Sequence, residues 1–129
     1  MYIRKMVTVL AGGLALLLAS FLSLAAGAAP PETAVKEINH LLDHVGESGC
    51  EFYRNGSWYG SQKAVAHLRD KYKYLNDRNL VNTTEQFIER AASESSFSGK
   101  PYQIRCGGGA AVNSQQWLHE KLMELRAVT

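Results

Sequence analysis

One long apolar run, then alternating blocks of helical and strand-like periodicity, make up the hydrophobic pattern of this chain. The run comes first: Val7 to Leu24 carries no charge and contains Leu14, Leu16, Leu17, Leu18, Phe21, Leu22 and Leu24. Residues 33–46 then repeat Val35, Ile38, Leu41, Leu42 and Val45 at helical spacing, opposite Lys36, Asn39, His40, Asp43 and His44. That spacing predicts an amphipathic helix ending near Gly46. Next, Cys50–Arg54 and Ser57–Tyr59 are aromatic-rich runs on either side of Asn55-Gly56. Asn-Gly tolerates positive φ at both turn positions, so the segment reads as a β-hairpin. A two-residue turn pairs Arg54 with Ser57, Tyr53 with Trp58 and Phe52 with Tyr59. Cys50, Phe52 and Tyr59 then share one face, and Tyr53 and Trp58 the other.

Helical spacing resumes with Ala64, Val65, Leu68, Tyr72 and Leu75, predicting a helix from Gln62 to about Asp77 with Ser61 as its N-cap. A loop through Asn79 and Asn82 leads to Thr83, and Gln86 three residues on suggests a capping box for a helix burying Phe87, Ile88, Ala91 and Ala92. The run Ser93 to Ser98 and Gly99 end it. From Pro101 to Cys106 the chain alternates, with Tyr102, Ile104 and Cys106 on one side and Gln103 and Arg105 on the other. This predicts a third strand, at an edge because of Pro101. Gly107-Gly108-Gly109 forms a turn, and Asn113, with Gln116 three residues later, starts a last helix burying Trp117, Leu118, Leu122 and Leu125. Helix, hairpin, two helices, strand and helix make an α+β fold, with a three-stranded sheet packed against helices.

The apolar run changes the picture of where this domain works. Arg4 and Lys5 precede it, and Ala26-Gly27-Ala28 follows with small residues where a signal peptidase reads. Residues 1–28 therefore read as a secretory signal and residues 29–129 as one mature domain. The competing reading is an uncleaved membrane anchor, since the run reaches the length of a spanning helix. Cleavage removes two basic side chains from the 14 Lys and Arg and none of the 12 Asp and Glu, so the net charge falls from +2 to zero. A neutral domain offers no electrostatic case for nucleic acid. Its only two cysteines, Cys50 and Cys106, lie in the exported part, where disulfides persist. A bond between them, in the core of the sheet, is expected. Two separately buried thiols are the alternative.

Arg54-Asn55-Gly56, His67-Leu68, Phe87-Ile88, Ser95-Ser96, Ser98-Gly99-Lys100-Pro101-Tyr102 and Trp117-Leu118 together resemble the pattern of the YfeK-like family, small exported proteins of Gram-negative bacteria. The resemblance runs from about Ala34 to Arg126. It implies a periplasmic location and adds no chemistry. Some relatives place a cysteine elsewhere in the hairpin, so the pairing rests on this chain's own two cysteines.

Three constellations are candidates for function. Tyr53 and Trp58, with Glu51, Gln103 and Arg105 beside them on the non-core face of the sheet, can stack on a sugar or grip a partner's side chain. The alternative is that a helix or the N-terminal tail covers them. Arg54, His67 and the serines Ser93, Ser95, Ser96 and Ser98 form a polar group that would need a base–nucleophile contact to catalyse anything. Serines at a helix end more commonly bond nearby backbone. His40 and His44, one turn apart with Glu37 close by, have metal-ligand spacing but lack a zincin order, and a solvated helix face explains them as well. Lys100 after Ser98-Gly99 lacks the glycine-rich approach of a phosphate loop, and Lys63, Arg69, Lys71 and Lys73 read as a solvated helix face. No motif calls for a cofactor.

The leading expectation is a non-enzymatic binding or cell-envelope accessory domain, with Tyr53, Arg54, Trp58, His67 and Arg105 as binding residues, an envelope protein or glycan as partner, and no stable membrane insertion once the signal is cleaved. The alternative is a small envelope hydrolase using His67 and a serine of the Ser93 to Ser98 run.

Overall fold

The computed structural model describes residues 30–129 and, ahead of them, Gly12 alone. The expected secretory signal therefore falls outside the described residues. Four helices and a four-stranded antiparallel sheet follow in the order α1 (Glu32–Glu47), β1 (Glu51–Arg54), β2 (Ser57–Gly60), α2 (Ser61–Asn76), α3 (Thr84–Ala91), β3 (Gln103–Arg105), β4 (Val112–Asn113) and α4 (Ser114–Ala127). This is the expected α+β class.

The hairpin forms in the expected register, Arg54 opposite Ser57, Tyr53 opposite Trp58 and Phe52 opposite Tyr59. Asn55 and Gly56 take φ of 51° and 88°, which fits a two-residue turn with both central residues left-handed. The strand order is β2-β1-β3-β4, so β3 is an interior strand and not the edge that Pro101 suggested. Pro101 lies just before β3 and bridges Glu94 in an antiparallel pair. The flanking bonds, Ser95 N to the Lys100 carbonyl and Tyr102 N to the Ser93 carbonyl, carry the ladder. The missing proline N–H falls at a non-hydrogen-bonded position, where it removes no bond. The fourth strand was not foreseen. It is only two residues long, and its pairing of Ile104 with Val112 and Gln103 with Asn113 follows from the turn at Cys106–Gly109 more than from any alternation of its own.

Cys50 and Cys106 are bonded. The bond lies half in the core: Cys50 belongs to the core cluster, Cys106 is exposed, and each stands one residue outside its strand. Glu51 pairs with Arg105, so the disulfide closes the open end of the β1–β3 pair.

Ile38, Leu41, Leu42 and Val45 of α1 meet Val65 and Leu68 of α2, Phe87 and Ile88 of α3, Leu118 and Leu122 of α4, and Phe52 and Ile104 from the sheet. Trp117 and Leu125, expected in the core, are half-buried. Trp117 lies edge-on to Phe52 and stacked against His44. Ser61 is the first residue of α2, with Gly60 as its cap, because β2 runs into the helix without a loop. At α3, Thr83 caps Gln86 N as expected, but the Gln86 side chain accepts from Asn82 N in place of the Thr83 N of a closed capping box. Among the described residues no helix is long and apolar enough to cross a membrane.

Candidate functional site

The pleat of β1 sends Phe52 and Arg54 toward the helices, and the hairpin register places Tyr59 beside them. Since β2 passes directly into α2, Lys63, His67 and Asp70 follow on one face of that helix within reach of the hairpin. A cleft of about 410 Å³ opens between the two, its lining combining the apolar and aromatic side chains of Phe52, Tyr59, Leu68 and Tyr102 with the polar ones of Arg54, Lys63, His67 and Asp70.

A chain of hydrogen bonds runs through its lining. Arg54 Nη1 lies 2.7 Å from His67 Nδ1, and His67 Nε2 lies 3.0 Å from the Tyr102 hydroxyl. A guanidinium can only donate, so Nδ1 accepts and the imidazole proton sits on Nε2, donating to Tyr102. His67 is thus the neutral tautomer, and its pKa lies below the ordinary histidine range, first because of burial and then because of the charges of Arg54 and Lys71. Lys71 Nζ donates to the Glu94 carbonyl at 2.7 Å and to Tyr102 Oη at 3.3 Å. Burial lowers the Lys71 pKa and raises that of Tyr102, so the phenol is protonated at neutral pH. Tyr102 Oη accepts from both neighbours, which leaves its own O–H without a protein acceptor among the described residues. Arg54 and Lys63 both approach the Tyr59 ring, 5.3 Å and 5.7 Å from its centre. Neither has an acidic partner within salt-bridge distance among the described residues.

The opposite face of the sheet carries a second cluster. Tyr53 and Trp58 have ring centres 5.3 Å apart, and Arg105 lies 3.8 Å over the Trp58 ring while donating through two nitrogens to Glu51. The five candidate binding residues therefore divide between two faces, Arg54 and His67 in the cleft and Tyr53, Trp58 and Arg105 outside, with only Tyr53 also bordering the cleft.

Among the described residues no serine of the run hydrogen-bonds His67. Ser93 Oγ donates to the Ile88 carbonyl, Ser95 Oγ accepts from Phe97 N and Ser98 N, and Ser98 Oγ bonds Asn55. His44 is stacked on Trp117 at 4.9 Å, its pKa lowered mainly by burial, and Glu37 is engaged by Arg126 and Thr84. No group of three or more metal-ligating side chains occurs among the described residues.

Tyr59, Asp70 and Tyr102 were absent from the sequence-based candidates, and Lys63 was read there as part of a solvated helix face. The signal for Lys63, His67 and Asp70 was present as an i, i+4, i+7 row, but it reads as a charged helix face until the hairpin is laid across it.

The family model described as "Family of unknown function (DUF5329)" matches residues 32–126, from the first residue of α1 to the last turn of α4. The chain belongs to that family. Within the DUF5329 frame it is also similar to the uncharacterised protein YfeK of Salmonella typhimurium strain LT2, with 44% identity over 66 residues. That alignment covers 50% of this chain and 53% of the Salmonella protein, so the chain spans about half the length of the curated relative it matches. No solved structure matches the chain. The family likeness the sequence carried is thereby shown, and the DUF5329 match includes every element that builds the cleft.

Proposed function

We propose that residues 29–129 form an exported, periplasmic, non-enzymatic binding domain whose ligand occupies the cleft between the β1–β2 hairpin and α2. The observation that carries this reading is the cleft itself: concave, aromatic-walled, and furnished with polar groups that converge on one volume. Export rests on Arg4 and Lys5 before the apolar run and Ala26-Gly27-Ala28 after it, and the disulfide suits an oxidising compartment. A binding role is favoured over hydrolysis because both nitrogens of His67 are held by Arg54 and Tyr102, which leaves the ring no serine to activate. The bracing of Trp58 by Arg105 and Glu51 favours a second reading, in which the outer sheet face docks an envelope protein or glycan.

One experiment separates the three. The protein, ¹⁵N-labelled, is screened by NMR against small sugars, sugar acids and amino-acid derivatives. Cleft binding predicts shifts concentrated at Arg54, Tyr59, Lys63 and His67 with every compound recovered intact. Shifts confined to Tyr53, Trp58 and Arg105 would move the site to the outer face, and the appearance of cleavage products would make the protein a hydrolase.

A further inference from the structure

The polar groups of the cleft are unequal in kind. Among the described residues, Arg54 keeps donors beyond the one given to His67, Lys63 has no hydrogen-bond partner, and the Tyr102 O–H has no acceptor. Ser114, also in the lining, already donates its hydroxyl to the Ala92 carbonyl. Asp70 is the only acidic side chain in the lining. Donors and positive charge therefore outnumber acceptors around a space of small-molecule size. An oxyanion is the chemistry that satisfies such a set, because each donor left facing an apolar or donor-only ligand would lose its water without replacement. A guanidinium fork matches a carboxylate in particular, taking both oxygens at once. The rings of Tyr59 and Phe52 in the lining suit a compact ligand body, and the carboxylate of Asp70 is an acceptor for a hydroxyl or amide N–H on such a body.

Resting on the proposal that the cleft is the binding site, we infer that its ligand is a small carboxylate, its carboxyl group held by Arg54, Lys63 and the Tyr102 hydroxyl and its body laid against Tyr59. Sugar acids and acylated amino acids share this chemistry, and the test distinguishes them.

The protein produced from the full-length chain is titrated with glucuronate and N-acetylglycine, each beside its neutral counterpart, glucose and N-acetylglycinamide. The readouts are the ¹H–¹⁵N shifts of Arg54 Nε and of the Tyr59, Lys63 and His67 amides. Saturable shifts are expected with at least one carboxylate and at least tenfold weaker binding of its neutral counterpart. Response to glucuronate alone assigns the class to sugar acids, to N-acetylglycine alone to acylated amino acids, and to both assigns recognition to the carboxyl group. Arg54→Met, and Lys63→Met as a second variant on a different element, should each weaken binding at least tenfold, whereas Lys73→Met on the exposed face of α2 should not. Equal binding of the neutral counterparts, or binding untouched by both cleft variants, overturns the carboxylate assignment while leaving the cleft a binding site. Silence of the cleft toward both carboxylates, with cleft shifts from other compounds in the screen, also overturns the ligand class alone. Silence toward every compound in the screen removes the binding site itself.

Discussion

Two polar clusters tie secondary-structure elements together in this protein, and they differ in how their charges are answered. Where α1, α3 and α4 meet, Arg126 donates to Glu37 through two nitrogens and to Glu85 through a third, and Thr84 donates to Glu37. One cation faces two carboxylates, Glu37 is largely shielded from solvent, and every group has its complement. Across the molecule, Arg54, Lys63 and Lys71 gather around neutral His67 and Tyr102 with a void beside them and Asp70 alone of opposite sign in its lining. The first arrangement is what a fold needs to hold three helices in register. The second leaves donors and charge unspent, and natural proteins tolerate that chiefly where something else binds.

Substitutions in each region test this contrast. The scale is set by the staple on which the sheet, and so the cleft, depends. Replacing Cys50 and Cys106 together with Ala releases a constraint spanning 56 residues of sequence and should cost about 4 kcal/mol in the chain-entropy description, measured by urea unfolding. A cost under about 1 kcal/mol would mean that β1 and β3 hold together without it.

Next in size is the complemented cluster. Arg126→Ala should cost about 1 kcal/mol, a modest figure because the guanidinium and Glu85 are substantially in water. It should also change the acid limb of stability. Hydrogen bonds from Arg126 hold the carboxyls of Glu37 and Glu85 below their ordinary value, so wild-type stability conferred by them is present above about pH 4.5 and lost as pH falls toward the folded values. The variant should lose less on acidification below that point, and an unchanged acid limb would contradict the role given to Arg126. Both forms should show an earlier loss as pH falls from about 6.5, since burial lowers the pKa of His67 and His44 in the folded protein and the unfolded chain takes up their protons first.

The smallest effect belongs to the uncomplemented cluster. Arg54→Met removes a half-buried cation with no acidic partner among the described residues and should change stability by no more than about 0.5 kcal/mol. It should raise the His67 pKa, followed by NMR, because the Arg54 charge is one of the causes depressing it, while burial keeps the value below that of a free histidine. A destabilisation as large as that of Arg126→Ala would show that the cleft cluster is structural after all.

How much of this could be read in advance follows from the range of the interactions. The hairpin register was legible because Asn55-Gly56 allows one turn type and the pleat then assigns every face. The helices were legible from their apolar stripes, and the disulfide from the expected export and an even count. β3 was misplaced to an edge because its place in the sheet depends on β4, a two-residue strand with no periodicity to detect. The outer cluster of Tyr53, Trp58 and Arg105 followed from local alternation. The cleft did not, since it needs Tyr102, 35 residues beyond His67 in sequence, to be brought under α2 by the pairing of β3 with β1.

The most direct test is a crystal structure of the protein grown with glucuronate or N-acetylglycine. The account predicts the carboxyl group against Arg54 and the Tyr102 hydroxyl, with the ligand body on Tyr59. An empty cleft with the ligand lying on Tyr53 and Trp58 would contradict it.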